Sequence, residues 1–340
     1  MLKVAVVGLG DISKIHIPAI QKKPNVELVA VCDIDESLAQ TVPGVQFYTD
    51  YHVMLDHETL DCVHICLPHD LHLPATKACV EKGVHVLQEK PLALTTEEGL
   101  ELVKLKKQNP NVKICICHQN RYNETFETLK KIVQSGAYGK IVGIKGLVTW
   151  FRPKSYYDVK PWRGRMKYAG GGVMINQSIH TLDLMQLLGG EIESIKGSIT
   201  QLLDYGIEVE DTAVANITFK NGATGLFFAT NSNAENSSVE LQVTLEKGKF
   251  IIKDSVLTKV DEDGKKEDII EDAKLPGTKF YYGASHLKII DTFYTCIRNN
   301  TQDYVHIEDA LTSIEIIDAI RQSSELNKSI VMEGNQYAKR

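Results

Sequence analysis

Two stretches of the chain combine residue types that can do chemistry with a setting that can expose them. The first is Gln88-Glu89-Lys90-Pro91, which follows an apolar run at His85–Leu87. If that run is a strand of an open parallel sheet, Lys90 stands at the C-terminal edge, where such sheets bind ligands. Pro91 restrains the residue before it and so fixes the local path. Most lysines are solvated surface groups, and that bland reading stands beside the functional one. The second stretch begins at Gly170-Gly171-Gly172 and runs to Gly189 with the pattern of one helix. At about 100° per residue, Asn176, His180 and Asp183 fall on one narrow stripe. Most other positions of that helix are apolar, so it is expected to be buried. Buried polar groups cost free energy unless paired, so the stripe wants a ligand or a hydrogen-bond network between helices.

A third motif opens the chain. Strand-like Lys3–Val7 ends in Gly8-Leu9-Gly10-Asp11-Ile12-Ser13. Gly8 permits a tight turn, Gly10 lets backbone approach a pyrophosphate, and Ser13 is small enough for the helix–strand contact where a third glycine is usual. The phosphate would sit on the helix N-terminus, with Asp11 and Ile12 in the turn. Asp33 ends the second strand about 20 residues on, where an acid accepts hydrogen bonds from the adenosine ribose. Ile34, Asp35 and Glu36 follow with no arginine, a cluster that repels a 2′-phosphate. The pattern favours NAD, with NADP the poorer fit; the bland alternative is that Asp33 caps a helix.

The elements that must hold these motifs are legible as alternating strands and helices. Strands are expected at Lys3–Val7, Glu27–Cys32, Cys62–Cys66, His85–Leu87 and Lys113–Cys117, with helices near 12–22, 70–82 and 96–108. Strands joined by helices form parallel sheets with right-handed crossovers. The expected organisation is a dinucleotide-binding domain over 1–120 and a second domain over 121–340.

Composition sets the outer bounds. The chain has 340 residues, 43% hydrophobic and 24% charged, with net charge −6, enough apolar mass for two cores. A mildly acidic chain lacks the footprint of a nucleic-acid binder. No run reaches the roughly 18–20 apolar residues of a membrane span. The N-terminal apolar run stops at Gly8, short of a secretory signal. Seven cysteines, mostly in predicted strands, read as buried thiols in a reducing, cytoplasmic setting. Cys115 and Cys117 have no second ligand pair at zinc spacing, so no metal is expected.

Taken together, the chain resembles the Gfo/Idh/MocA oxidoreductases over essentially its whole length. The resemblance rests on Gly8-Leu9-Gly10 with His16 on the first helix, Pro68-His69-Asp70-Leu71-His72, Glu89-Lys90-Pro91, and the triple glycine with Asn176, His180 and Asp183. It implies a Rossmann domain followed by an α/β domain with a large, open, mainly antiparallel sheet. It implies NAD(P)-linked oxidation or reduction of a sugar, inositol or related polyol, with Lys90 and His180 catalytic. Pro68, His72, Glu89 and Lys90 join Gly8, Gly10, Asp11, Ile12 and Asp33 as cofactor-binding candidates. Many members carry Asp where this chain has Asn176 and Gly where it has Ser178. Asn cannot take a proton, which leaves His180 as the neutral-pH base of the stripe. The mechanism that follows has His180 remove a hydroxyl proton while hydride leaves the same carbon, with Lys90 stabilising the growing alkoxide. Two alternatives stay open: an NAD-dependent glycoside hydrolase, and a non-catalytic NAD-binding regulator.

The remaining sequence supplies candidate substrate contacts and partners. His118-Gln119-Asn120-Arg121-Tyr122 marks a junction from which Arg121 and Tyr122 could reach a cleft, or serve as a hinge. Residues 150–168 interleave six aromatics with six basic residues against the single acid Asp158. Trp162 could stack on a sugar ring and Arg163 meet an anion, or both could lie in a subunit contact. Residues 190–260 are strand-rich, including 211–219 and 223–230, and a broad sheet with one bare face suits a homodimer or homotetramer. Residues 261–271 read as a charged loop, and helices are expected near 284–299 and 308–327. Gly283-Ala284-Ser285-His286 resembles a segment near the active site of some relatives, though one histidine opening a helix is more often structural.

Overall fold

The computed structural model describes residues 1–273 and 285–332. The chain divides into two compact units: the first holds Met1–His118 with His286–Leu311, the second Gln119–Ser285 with Thr312–Arg340. Gly283 and Ala284 lie outside the described residues.

The first unit is built on strands β1 (Leu2–Val7), β2 (Val26–Cys32), β3 (Gln46–Tyr48), β4 (Cys62–Ile65), β5 (His85–Glu89) and β6 (Ile114–Cys117). They form one sheet in the order β3-β2-β1-β4-β5-β6, with every pair parallel. Four helices connect them: α1 (Ser13–Gln21), α2 (Tyr51–His57), α3 (His72–Glu81) and α4 (Thr96–Gln108). The apolar runs of the sequence become strands covered on both faces: all four residues of β4 and of β6 are buried. The strand order reverses between β1 and β4, which opens the crevice where doubly wound sheets bind ligands. The short β3 and α2 carry no period that the sequence reading could detect. Asp50 caps α2 by accepting from His52 N at 2.8 Å.

The second unit contains α5 (Glu124–Gln134), β7 (Ile141–Thr149), the short helices α6 (Lys154–Asp158) and α7 (Met166–Ala169), and α8 (Ile179–Gly189). Strands β8 (Ile192–Thr200), β9 (Thr212–Phe219), β10 (Thr224–Thr230), β11 (Glu240–Leu245), β12 (Gly248–Lys253), β13 (Val256–Val260) and β14 (Lys266–Glu271) follow. After them come α9 (Ser285–Asn299), which belongs with the first unit from His286 on, then α10 (Ile307–Leu326) and β15 (Ile330–Val331). The nine-stranded sheet runs β14-β13-β12-β11-β7-β10-β9-β8-β15, and only the β7–β10 pair is parallel. This is the large, mainly antiparallel sheet that the family resemblance implies. Helix α8 packs on one face: a Cβ added at Gly146 of β7 would stand 2.4 Å from Met185 Sδ and 2.7 Å from Thr181 Cγ2. The other face alternates outward, as β9 and β10 show in their burial patterns.

Two expectations are corrected. Residues 266–271 are strand β14, not loop; it is the edge of the sheet and nearly all exposed, and charges on an edge strand are a known protection against mispairing. The single helix expected from the triple glycine to Gly189 is two elements, a π-helical turn at Val173–Gln177 and then α8. Ser178 makes the break: its N–H and its hydroxyl both donate to Val173 O, at 2.9 and 2.8 Å. A wider turn changes the angular phase, so Asn176 does not continue the stripe that a 3.6-residue period predicts.

Candidate functional site

The first unit gathers its candidate residues at the C-terminal ends of β1, β2, β4 and β5. After β1, Gly8 has φ +93°, and a Cβ there would lie 2.5 Å from the carbonyl oxygen of Cys66 beyond β4. Only glycine fits that turn, which presses the β1 loop against β4 and leaves a cradle of backbone. Ser13 Oγ donates to Gly10 O at 2.7 Å and closes the turn into α1. Asp11 is exposed, and Ile12 takes the N-cap position without a side-chain cap, so the first-turn N–H groups of α1 point out of the loop. Asp33 stands beside them: its Oδ2 accepts from Leu9 N at 2.7 Å and its Oδ1 from Asp35 N at 3.0 Å. The carboxylate is half-buried and keeps lone pairs for a ribose diol. Ile34, 90% exposed, follows it on the surface. A glycine cradle, a helix N-terminus and an acid just past β2 together fit a dinucleotide.

The Lys90 loop is held from below. Gln88 Nε2 donates to Leu92 O at 2.9 Å and to Pro91 O at 3.0 Å, while Thr76 Oγ1 donates to Gln88 Oε1 at 2.7 Å. The Lys90–Pro91 peptide is cis. His72, first residue of α3, is fully buried, and its ring nitrogens lie 2.7 Å from Pro91 O and 3.0 Å from Leu67 O. It therefore ties the end of β4, next to Pro68, to the Lys90 loop. Lys90 itself is half-buried. Its neighbour Glu89 is buried and points inward, where Oε1 accepts from His16 Nε2 at 2.9 Å. Burial alone would raise the Glu89 carboxyl, but the His16 hydrogen bond and charge, with His286 and Lys90, hold it well below the usual carboxylate range.

In the second unit the triple glycine is a clamp. Gly170 takes the left-handed conformation at φ +72°, and a Cβ on Gly172 would fall 1.8 Å from the backbone oxygen of Glu210. The buried Glu210 carboxylate accepts from Gly172 N at 2.9 Å and Met174 N at 3.1 Å, and Arg321 Nη2 donates to Gly170 O at 2.7 Å. This clamp launches the π-helical turn and sets where α8 begins. Neither Glu210 nor Arg321 carries a sequence signal for that role.

The three stripe residues face different partners. Asn176 Nδ2 donates to Tyr156 Oη at 3.1 Å, and Gln177 Nε2 donates to the same oxygen at 3.0 Å. Gln119 Nε2 donates to His180 Nε2 at 3.2 Å. With the amide as donor, Nε2 is the acceptor of that contact. One turn further along α8, Asp183 is 1% exposed and takes a bidentate pair from Arg121, Nε to Oδ2 at 2.8 Å and Nη2 to Oδ1 at 2.6 Å. Two residues read as substrate contacts thus neutralise each other beneath His180. Gln119 and Arg121 lie on one 3-10 turn, Gln119–Tyr122, which also carries the half-buried Tyr122. The sequence reading passed over Gln119; its place in the same short motif as Arg121 was the available hint.

The aromatic, basic stretch folds on itself. The Arg163 guanidinium lies 4.2 Å from the Tyr156 ring centroid and 5.8 Å from that of Trp162. Trp162 and Arg163, both half-buried, sit on the short turn Pro161–Gly164, whose Gly164 packs too closely on Ile207 for a side chain. Arg165 pairs with Glu208 at 2.7 Å, and Lys154 with Asp158 at 2.6 Å, so part of the local excess of positive charge is cancelled. Tyr156 is the member that touches the α8 region, a role the sequence left unassigned.

All seven cysteines are buried, and none forms a disulfide. His16, Glu89 and Cys117 each bring one ligand-type atom within 4.8 Å of the others. No helix among the described residues is long and apolar enough to cross a membrane.

Residues 2–117 match the oxidoreductase family model for an NAD-binding Rossmann fold, and residues 130–332 match the model for the oxidoreductase family C-terminal alpha/beta domain. Myo-inositol 2-dehydrogenase of Thermotoga maritima is 24% identical over 98% of this chain and 99% of its own length. D-glucoside 3-dehydrogenase of Escherichia coli is 29% identical over 69% of this chain and 71% of its own. The crystal structure of the WlbA dehydrogenase from Bordetella pertussis, in complex with NADH and UDP-GlcNAcA, superposes with a TM-score of 0.85 at 28% identity, covering 97% of this chain and 98% of that one. With both of its domains matched, this chain belongs to the Gfo/Idh/MocA family of NAD-dependent oxidoreductases.

Proposed function

We propose that this protein oxidises a hydroxyl-bearing carbon of a sugar, a polyol or a sugar derivative such as a nucleotide-linked sugar, with NAD as the acceptor. The observation that carries the reading is His180, whose Nε2 lies 3.2 Å from Gln119 Nε2 on a helix whose next turn is neutralised by Arg121 and Asp183. A histidine base over a buried charge pair that adds no net charge suits removal of a hydroxyl proton near neutral pH. The names of relatives that act on inositol, on a glucoside and with a nucleotide sugar support the substrate class.

His180 takes the substrate proton on Nε2, the substrate hydroxyl displacing the Gln119 amide from that nitrogen. Lys90, half-buried at the end of β5 and fixed by the Gln88 and His72 contacts, donates a hydrogen bond to the oxygen as its negative charge grows. NAD, when bound, supplies the hydride acceptor. Asn176 and Tyr156 position hydroxyls, and Trp162 and Arg163 meet the ring and any anionic group. Self-association through the bare face of the nine-stranded sheet belongs to the same proposal.

The test is a screen of sugars, inositols, uronic acids and nucleotide sugars with NAD, followed by NADH absorbance. Steady NADH formation with a member of these classes is expected. Sugar release without net NADH, or no turnover across the set, overturns the reading. With the substrate in hand, Lys90→Ala is expected to lower kcat by about 10²–10³-fold, the loss typical of one transition-state donor. NAD affinity should stay within a few-fold. A loss of NAD binding as large as the loss of rate overturns the role given to Lys90.

A further inference from the structure

The π-helical turn Val173–Gln177 is held from outside by two buried residues at one end of the nine-stranded sheet. Glu210 precedes β9 and Asn231 follows β10. The two strands pair antiparallel with Thr212 opposite Thr230, so Glu210 and Asn231 stand close together on that end. The end is anchored on its own account. Thr212 Oγ1 lies 2.8 Å from Thr230 Oγ1, Asn231 N donates to Asp211 O at 2.7 Å, and Asp211 Oδ2 accepts from Leu202 N at 2.9 Å and Leu203 N at 2.7 Å. Glu210 is 4% exposed and Asn231 is fully buried.

Glu210 takes the start of the turn. A helix opens with N–H groups that its own carbonyls cannot satisfy. Three successive ones here go to a single residue: Gly172 N and Met174 N donate to Glu210 Oε1, at 2.9 and 3.1 Å, and Val173 N donates to Glu210 O at 3.0 Å. Arg321 closes the same corner, because a Cβ on Gly171 would meet its Nη2 at 3.1 Å and Glu210 Oε2 at 3.6 Å. Asn231 takes the end of the turn, where its Nδ2 donates to Gln177 Oε1 at 3.1 Å.

The product is a convergence that a regular helix does not give. Consecutive side chains of an α-helix point about 100° apart and do not face each other. A wider turn brings them closer in angle. Asn176 and Gln177, adjacent in the chain, both reach Tyr156 Oη, at 3.1 and 3.0 Å. Tyr156 belongs to α6, so one phenol oxygen joins that helix to the turn, and through Gln177 to Asn231.

We propose that Glu210 and Asn231 are positioning residues for the substrate side of the site: touching no substrate themselves, they hold the turn in the register that delivers Asn176 and Gln177 to Tyr156 Oη. The proposal rests on Asn176 and Tyr156 contacting the substrate, as read above. Loss of the Glu210 carboxylate releases two N–H groups and lets the turn relax toward the α-helical period of the sequence. Asn176 and Gln177 then swing apart, and Tyr156 loses its hold.

The experiment first reads Tyr156 in the cofactor-free protein, by the NMR signal of isotope-labelled tyrosine Cζ assigned with Tyr156→Phe. Glu210→Ala is expected to move that signal toward the position of a solvated tyrosine. Glu210→Gln keeps an acceptor oxygen and is expected to hold it near the parent position. Asn231→Ala, at the other end of the turn, should move it in the same direction as Glu210→Ala and serves if that variant does not fold. Turnover is then measured with the sugar that yields NADH in the screen above, well below the Tm of each variant. Glu210→Ala should lower kcat/KM for that sugar about 10–10²-fold, the cost of a small misplacement away from the chemistry. NAD affinity should stay within a few-fold, and Glu210→Gln should recover most of the loss. A clamp that served folding alone would lower Tm and leave both the Tyr156 signal and kcat/KM in place.

An unmoved Tyr156 signal in whichever of Glu210→Ala and Asn231→Ala folds overturns the proposal. So does a parental kcat/KM beside a moved signal, or a loss that Glu210→Gln does not recover. Failure of both alanine variants to fold also overturns it, because the two residues would then be parts of the folding core and no more. The Tyr156 signal is read without substrate. A protein that oxidises no sugar would therefore refute the functional reading, while the signal alone decides whether Glu210 and Asn231 hold Tyr156.

Discussion

At the scale of single residues, the two ends of the catalytic inventory differ in how they announce themselves. Asp33 is legible because it terminates an apolar strand at a fixed distance past a glycine turn, and its carboxylate is bonded back to that turn through Leu9 N. The role proposed for it is that of an acid facing the adenosine ribose. Asp33→Ser is expected to lower the NAD-over-NADP ratio of kcat/KM about tenfold, the equivalent of about 1.4 kcal/mol. An unchanged ratio, measured with both cofactors at saturating substrate, would remove Asp33 from cofactor choice. Lys90, His180, Arg121 and Asp183 were all visible as residue types in motifs. What could not be read was who bonds to whom. Gln119 to His180, Tyr156 to Asn176, and Arg321 to Gly170 join positions 20 to 151 residues apart. Single-sequence spacing has no access to such pairs; only the folded chain brings them together.

At the scale of elements, period and glycine carried most of the information. The parallel sheet followed from apolar runs and the longer helices α1, α3, α4 and α10 from their spacing, whereas α2, α5 and the short α6 and α7 were not read, and the large antiparallel sheet was implied chiefly by the family resemblance. The exceptions share a cause: where a local rule is broken by tertiary context, pattern fails. Strand β14 is charged because it is an edge, and the π-helical turn forms because the Gly172 backbone is pinned under Glu210. That pinning yields a stability prediction. Gly172→Ala forces a Cβ to within 1.8 Å of the Glu210 carbonyl oxygen, a contact that only backbone movement can relieve. Overpacking of this kind costs about 1–3 kcal/mol or more. Thermal unfolding should show a clear drop in Tm, and a Tm within a degree of the parent would mean the clamp yields freely.

At the scale of the whole molecule, the bare face of the nine-stranded sheet is the feature that bears on assembly. Val214, Phe228 and Leu147 lie side by side across β9, β10 and β7, with Leu226 of β10 two residues along on the same face. Val214 is 37% exposed and Leu226 44%, and Lys145 and Glu240 pair beside them at 2.6 Å. An apolar row rimmed by polar groups is the usual composition of a subunit contact. Light scattering on the purified protein is expected to give the mass of a dimer or tetramer, and Leu226→Lys with Phe228→Lys should shift it toward the 37.9 kDa monomer. A parent protein that runs as a monomer at micromolar concentration would refute the assignment.

The path of the chain between its two units has a practical corollary. The polypeptide leaves the first unit after His118, returns to it at His286 and departs again after Leu311. That returning segment brings Tyr294 to His64, and it satisfies the edge of β6, where Ile116 N donates to Val305 O at 3.1 Å. A gene fragment cut at codon 118 would therefore encode a nucleotide fold with an open seam. Grafting 286–311 back through a short linker is the minimal repair for anyone wishing to study that half alone.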